Sequence, residues 1–368
     1  MAGVGKSSSE TDPSYDSESR KQQRAQSKRN AKGRTTDSVS YWKRGRAEHF
    51  GIFYNGEATE MSEFINMVST SDLKFVRGTP TRYTYPLKDK SRLLLDTLVD
   101  FSKDGLNMSF DIDEDRPDFF KGTIKKEIAA AKKKIWESVR RVDSDEEDNY
   151  SAATISRKTG LSRYQLGACI YHIVDFLKSY LQFLENGLDN KAWTESDFTT
   201  LLLQFTTIFM LSPRPGECNK RNQVVGGVPT SSVPDLRFFT NETCPLSLGV
   251  IGVAEVKLRI MPFDSEFFSI ENLPVDTLGQ HAGELLLEYE YSIFEEAVFG
   301  ILCFRTKVIF TFLKMRDEHF QKILHHKDQS DLGIRSVIYY TKPYDYLIED
   351  QRENILEVLF WLGMQTFW

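Results

Sequence analysis

The spacing of apolar residues changes twice along the chain, and each change marks a region. Residues 1–50 carry Ser, Gln, Lys and Arg with few large aliphatics, so they read as a disordered basic tail that cannot bury enough apolar surface to order itself. Residues 51–190 carry longer stretches with helical spacing. Ile124–Val142 is a basic, alanine-containing helix, closed by the acidic break Asp143–Asp148. From 191 to 368 short apolar runs alternate with helical ones, which predicts an α/β domain.

Within that last region Trp193–Phe198 opens a helix, with Thr194 as N-cap and Asp197 three residues on in a variant capping box. Leu201–Leu211 is apolar nearly all round and predicts a buried segment. Ser232–Phe239 and Gly249–Ile260 read as strands. The break Asn241–Pro245 between them lets them pair as a hairpin. Leu273–Tyr289 fits a helix with Asp276 near its start. Ala297–Phe304 and Lys307–Leu313 read as two strands joined by a tight turn at Arg305-Thr306, and a strand Ser336–Tyr340 and a helix Asp350–Leu362 follow.

One strand breaks its own pattern. Val250, Ala254, Val256, Leu258 and Ile260, with Gly252 between, make one apolar face, whereas Glu255 and Lys257 project together from the other. A charged pair is expensive to bury, so that face should open on a polar cleft. Asp235, after Pro234, lies on the preceding strand. Two carboxylates from neighbouring strands can share a hard divalent cation, which polarises a phosphate and acidifies bound water. A lysine two residues from the second carboxylate can orient that water or stabilise charge at phosphorus.

These residues resemble the Pro-Asp and Glu-x-Lys signature of the PD-(D/E)XK nuclease superfamily, across about half the chain. The resemblance implies a restriction-endonuclease-like α-β-β-β-α-β core. It also implies that Asp235 and Glu255 hold Mg2+, with Mn2+ as a substitute, that the Val256 carbonyl assists, and that Lys257 is the catalytic lysine. The plainer account of Glu255 and Lys257 is a solvated strand face with a surface ion pair. Members also carry an acid on a helix before the first core strand. Glu195 suits that place, though favourable charge in a first helical turn explains it as well. Glu217, just before the sheet, is its competitor. Gln280 matches a glutamine that many members direct at the site; a surface amide is the bland alternative.

The 151–170 segment resembles a helix-turn-helix. Its turn is Gly160-Leu161-Ser162, and Arg163, Tyr164 and Gln165 open a recognition helix that would reach the major groove. Simple helix packing is the favoured account, because the second helix can run on through His172 to Leu184. His325-His326 lacks a third ligand at metal spacing, and Gly5-Lys6-Ser7 lacks the upstream glycine of a phosphate loop.

Composition narrows the setting. The 368 residues are 40% hydrophobic with 26 Phe, enough for a large domain and a smaller one. Four scattered cysteines offer no disulfide framework, so the chain is expected inside the cell. No apolar stretch reaches a membrane span. The net charge of −6 argues against a uniformly basic nucleic-acid binder, yet residues 1–50 hold 11 Lys+Arg against 6 Asp+Glu. That run suits a nuclear import signal, a phosphate-binding arm or a solvated tail. The expected function is Mg2+-dependent phosphodiester hydrolysis with nucleic acid as partner, DNA favoured over RNA and no membrane. The alternative is a nucleic-acid-binding or interaction protein that keeps the fold without turnover.

Overall fold

The computed structural model describes residues 36–74, 163–188, 193–216, 220–239, 249–259, 268–325 and 333–364, with isolated positions between 126 and 133. In chain order its strands are β1 (Asp37–Ser38), β2 (Ile52–Tyr54), β3 (Ser212–Pro215), β4 (Arg221–Val225), β5 (Val228–Ser232), β6 (Leu236–Phe239), β7 (Val250–Lys257), β8 (Ala297–Phe304), β9 (Lys307–Lys314), β10 (Ser336–Tyr340) and β11 (Tyr344–Asp345). The helices are α1 (Arg44–His49), α2 (Met61–Ser69), α3 (Arg163–Leu188), α4 (Glu195–Thr207), α5 (Val275–Glu288), α6 (Asp317–His325) and α7 (Glu349–Met364).

The architecture is α/β. A mixed eight-stranded sheet runs β2-β10-β9-β8-β7-β6-β3, with β11 pairing on β9. Strands β3, β6 and β7 pair antiparallel in turn. Then α5 crosses over and β8 returns parallel to β7. One face of the sheet, with Phe238, Ala254, Val256, Ile301 and Phe310, packs on α2, α3, α4 and α7. The other, with Phe239, Val253, Leu302, Ile309 and Leu313, packs on α1, α5 and α6. Burial on both sides explains why β8 is apolar at every position instead of alternating.

The capping box of α4 forms as the sequence predicts. Thr194 Oγ1 accepts from the Asp197 N–H at 3.3 Å and Asp197 Oδ2 accepts from the Thr194 N–H at 2.7 Å. The strand predicted over Ser232–Phe239 is two strands instead. Val228–Ser232 joins a separate three-stranded sheet, β1-β5-β4, and only Leu236–Phe239 enters the large one. Pro234 sits at the break, where its missing N–H costs no ladder bond. In β7 the register steps from Phe238↔Gly252 to Phe239↔Val250, which leaves Ile251 as a bulge. Val250 therefore turns to the face of Val253, and Leu258 lies exposed beyond the strand, so the apolar face expected over Val250–Ile260 is interrupted.

The disordered tail expected over residues 1–50 does not hold for residues 37–50, which are folded. Asp37–Ser38 pairs with β5, and Val39, Trp42, Ala47 and Phe50 are buried against α5. Two glycines of α5 admit them: a Cβ at Gly279 would lie 2.2 Å from the Lys43 carbonyl carbon, and one at Gly283 would lie 2.8 Å from Val39 Cγ1. Nor is 51–190 a separate helical unit where it is described. β2 is an edge strand of the large sheet on β10, and α3 shares a core with α4 through Phe176, Phe183 and Phe198. The predicted helix Ile124–Val142 lies almost wholly outside the described residues.

Candidate active site

Three predicted residues meet at the end of the β6–β7 pair. Leu236 lies opposite Ala254, so Asp235, one residue before β6, comes beside Glu255 near the end of β7. The Val256 N–H donates to Asp235 Oδ2 at 2.7 Å. Glu255 and Lys257 share the other side of the strand, and Lys257 Nζ bonds Glu255 Oε1. Glu195, in the first turn of α4, brings its Oε1 within 4.0 Å of Lys257 Nζ. The structure thus gathers Asp235, Glu255, Lys257 and Glu195.

The aspartate is held from behind. Gly216 N–H donates to Asp235 O at 3.1 Å, and Arg237 Nη1 donates to Gly216 O at 3.2 Å. A Cβ at Gly216 would fall 1.6 Å from Pro234 O, so only glycine permits this approach. Glu217, the competing acid, lies outside the described residues.

Glu255 is more deeply buried than an open cleft would leave it. It is 1% exposed, and its Oε2 has no hydrogen-bond partner among the described residues. Burial, then the charges of Glu284 and Asp235, push its carboxyl well above the usual range, against the pull of Lys257. Burial also raises Asp235, opposed by the Val256 N–H and Lys257. For Lys257 burial pulls the ammonium down, but Glu255, Glu195 and Asp235 outweigh it and the net direction is up. The site holds an excess of buried acid over base.

Glu284 is the reason, and sequence reasoning missed it. It is fully buried on α5, where burial pushes it up to about 8, and its carboxyl contacts that of Glu255. Gln280, half-buried one turn earlier, donates its amide to Glu284 Oε1 at 3.0 Å. One turn later Glu288, also buried, receives Arg237 Nε at 2.6 Å and Arg221 Nε at 3.4 Å. Gln280, Glu284 and Glu288 stand four residues apart, so they form one row along the helix. Leu278, Leu285 and Leu286 are also fully buried, at about 1.5–3 kcal/mol each, which offsets the cost of the carboxyls. The signal for this row was the four-residue spacing of Gln280, Glu284 and Glu288 along the helix, with Arg237 the one charged residue of β6.

Arg163, Tyr164 and Gln165 are the first residues of α3, and their side chains lie outside the described residues, as does the expected preceding helix within 151–162. Further along, α3 buries Ile173, Phe176, Leu177, Tyr180 and Leu184 in the core.

The donors present are carboxylates and backbone, the hard oxygens that Mg2+ and Mn2+ prefer. Among the described residues, no three His, Cys, Asp or Glu side chains are already arranged around a cation position. The fit therefore rests on donor chemistry and on the bare, buried Oε2 of Glu255. Among the described residues, no helix is long and apolar enough to cross a membrane. No family model, curated protein or solved structure matches this chain.

Proposed function

We propose that the chain is a divalent-cation-dependent nuclease, acting on DNA in preference to RNA. The observation that carries the reading is the meeting of Asp235, Glu255 and Lys257 about the Val256 N–H, with Glu195 on the far side of the lysine. Within the large sheet the order α4, β3, β6, β7, α5, β8, with β8 parallel to β7, supports it: apart from the insertion of β4 and β5, which belong to the small sheet, this is the α-β-β-β-α-β succession that the resemblance calls for.

Asp235 and Glu255 would hold Mg2+ or Mn2+, with the Val256 carbonyl as a further oxygen. The bound cation supplies Lewis acidity and a more acidic water. The rest is the work of this chain. The Val256 N–H fixes the Asp235 carboxylate, so less freedom is lost when it binds. Lys257 keeps its proton because acids surround it, and a charged ammonium there orients water and steadies negative charge at phosphorus. Glu195 limits the reach of that ammonium from α4. Burial of Glu255 lowers the local dielectric, which strengthens each of these interactions.

The test is cleavage of circular and linear DNA by the purified chain in Mg2+, Mn2+ or EDTA, beside Asp235→Asn. Cation-dependent cleavage that Asp235→Asn abolishes is the expected result. A wild type that binds DNA and never cleaves it would move the assignment to a binder that retains the fold.

A further inference from the structure

Glu284 has no part in the site as described so far, yet it touches it. Its Oε1 accepts from Gln280 at 3.0 Å, which fixes the carboxyl plane. Its Oε2 is buried without a hydrogen-bond partner among the described residues, with His281 Nδ1 at 3.9 Å. His281 is anchored through Nε2 to Thr311 Oγ1 at 2.7 Å, and its Nδ1 is likewise buried without a hydrogen-bond partner among the described residues. Glu255 shows the same division: Oε1 meets Lys257, and Oε2 is bare.

Glu288 supplies the contrast. It lies one turn further along the same row and is equally buried, but each of its oxygens meets an arginine. A buried acid kept for structure is expected to look like Glu288. Two touching acids with no basic group on their second oxygens, joined to each other only through a shared proton, look instead like oxygens that a cation would take in place of that proton. As they stand the carboxyls of the described residues are not closed around one point, and Glu255 Oε1 is bonded to Lys257.

We propose that Glu284 is a third carboxylate of the cation site, positioned by Gln280, and that the bare oxygens of Glu255 and Glu284 are the ones the cation takes. This rests on reading Asp235 and Glu255 as cation ligands. It makes Gln280 a positioning residue that acts through Glu284 and not on the substrate. The new donor comes from α5, so cation binding would tie that helix to the ends of β6 and β7.

The experiment is titration of the full chain with Mn2+ alone, reading free Mn2+ by electron paramagnetic resonance, together with melting in EDTA. Glu284→Gln keeps the shape and is expected to weaken Mn2+ binding about tenfold or more, and Gln280→Leu to weaken it several-fold. In EDTA, Glu284→Gln should melt at or above the wild-type temperature, because an uncompensated acid has gone. A merely structural Glu284 would give the reverse, a lower melting temperature with Mn2+ affinity intact. Mn2+ binding lost in Glu255→Gln but unchanged in Glu284→Gln overturns this inference alone. A wild type that binds no Mn2+ overturns it together with the metal reading. Mn2+ binding that Glu284→Gln weakens, in a protein that cleaves no DNA, upholds Glu284 and removes the nuclease. Should Glu284→Gln not fold, Glu284→Asp withdraws the charge by one methylene and must also weaken Mn2+; unchanged affinity there counts against the proposal.

Discussion

Val256 donates its N–H to Asp235 Oδ2 across 2.7 Å, so the aspartate is aimed by the residue that separates Glu255 from Lys257. The strand thereby places all three polar groups from three consecutive positions: the backbone of Val256 reaches sideways to Asp235, and the side chains either side of it point together. The Val256 side chain itself is buried in the core on the opposite face, which anchors the backbone that does this.

Lys257→Ala removes the ammonium and leaves Asp235 and Glu255 in place. Cleavage is expected to fall by two decades or more, about 3 kcal/mol, as for a preorganised electrostatic group. DNA affinity should change far less, because one lysine supplies one of several phosphate contacts. Single-turnover cleavage and fluorescence anisotropy at one fixed salt concentration separate the two. A variant that loses affinity while its single-turnover rate stays whole would take Lys257 out of the chemistry.

Stability without a divalent cation should fall as pH rises. Glu284 keeps its proton in the fold up to about 8, whereas its ordinary value is 4.5. Between these values the native state binds more protons than the unfolded chain, so raising the pH favours unfolding, by about 1.4 kcal/mol per pH unit for one proton. Raised Glu255 and Asp235 act in the same direction. Melting in EDTA should therefore decline between roughly pH 5 and pH 8, with a shallower slope in Glu284→Gln. Saturating Mg2+ should flatten it, since the cation competes with those protons. A melting temperature that climbs over this range would show that the acids are not buried as described.

Gly216→Ala forces a Cβ to within 1.6 Å of Pro234 O, and that backbone cannot yield without moving Asp235. The expected cost is about 1–3 kcal/mol, as for other overpacked sites. The cation affinity should fall more than the stability does, because the displaced residue is the one that Val256 aims. Calorimetric melting and Mn2+ titration of the same variant provide the comparison. A variant with wild-type Mn2+ affinity would sever this loop from the site.

The elements most legible in the sequence are those whose signal is local. β8, β9 and β10 are apolar runs bounded by turns, and Thr194 with Asp197 announces α4 before its first turn. Alternation alone was enough to pair Glu255 with Lys257 on one face. What escapes is what only packing decides. The bulge at Ile251 changes no composition, yet it reverses Val250. Residues 37–50 look like tail by average hydrophobicity. Their packing depends on Gly279 and Gly283, far along the chain, which leave room for the Lys43 backbone and for Val39 and Trp42 respectively. Glu284 and Glu288 read as ordinary polar positions on an amphipathic helix, because Arg237, which compensates one of them, is 51 residues away in sequence.

That last pair gives a prediction of its own. Arg237 is 1% exposed, and its Nε lies 2.6 Å from the fully buried Glu288. Arg237→Met would leave the carboxylate with Arg221 alone, which sits at 3.4 Å and is partly solvated. Removing one partner of a buried pair typically costs about 3–5 kcal/mol, and Arg221 should hold the loss to the lower end. Arg237→Met also drops the bond to Gly216 O, so the loop that holds Asp235 should loosen and cleavage should fall as well. The double change Arg237→Met with Glu288→Met removes both charges and fills the space with apolar atoms. Its stability should recover towards or above wild type, while cleavage should not, because Gly216 still lacks its anchor. Chemical denaturation of wild type, each single variant and the double, with DNA cleavage measured on the same four proteins, closes the cycle. Recovery of cleavage along with stability in the double would show that Arg237 serves only to neutralise Glu288.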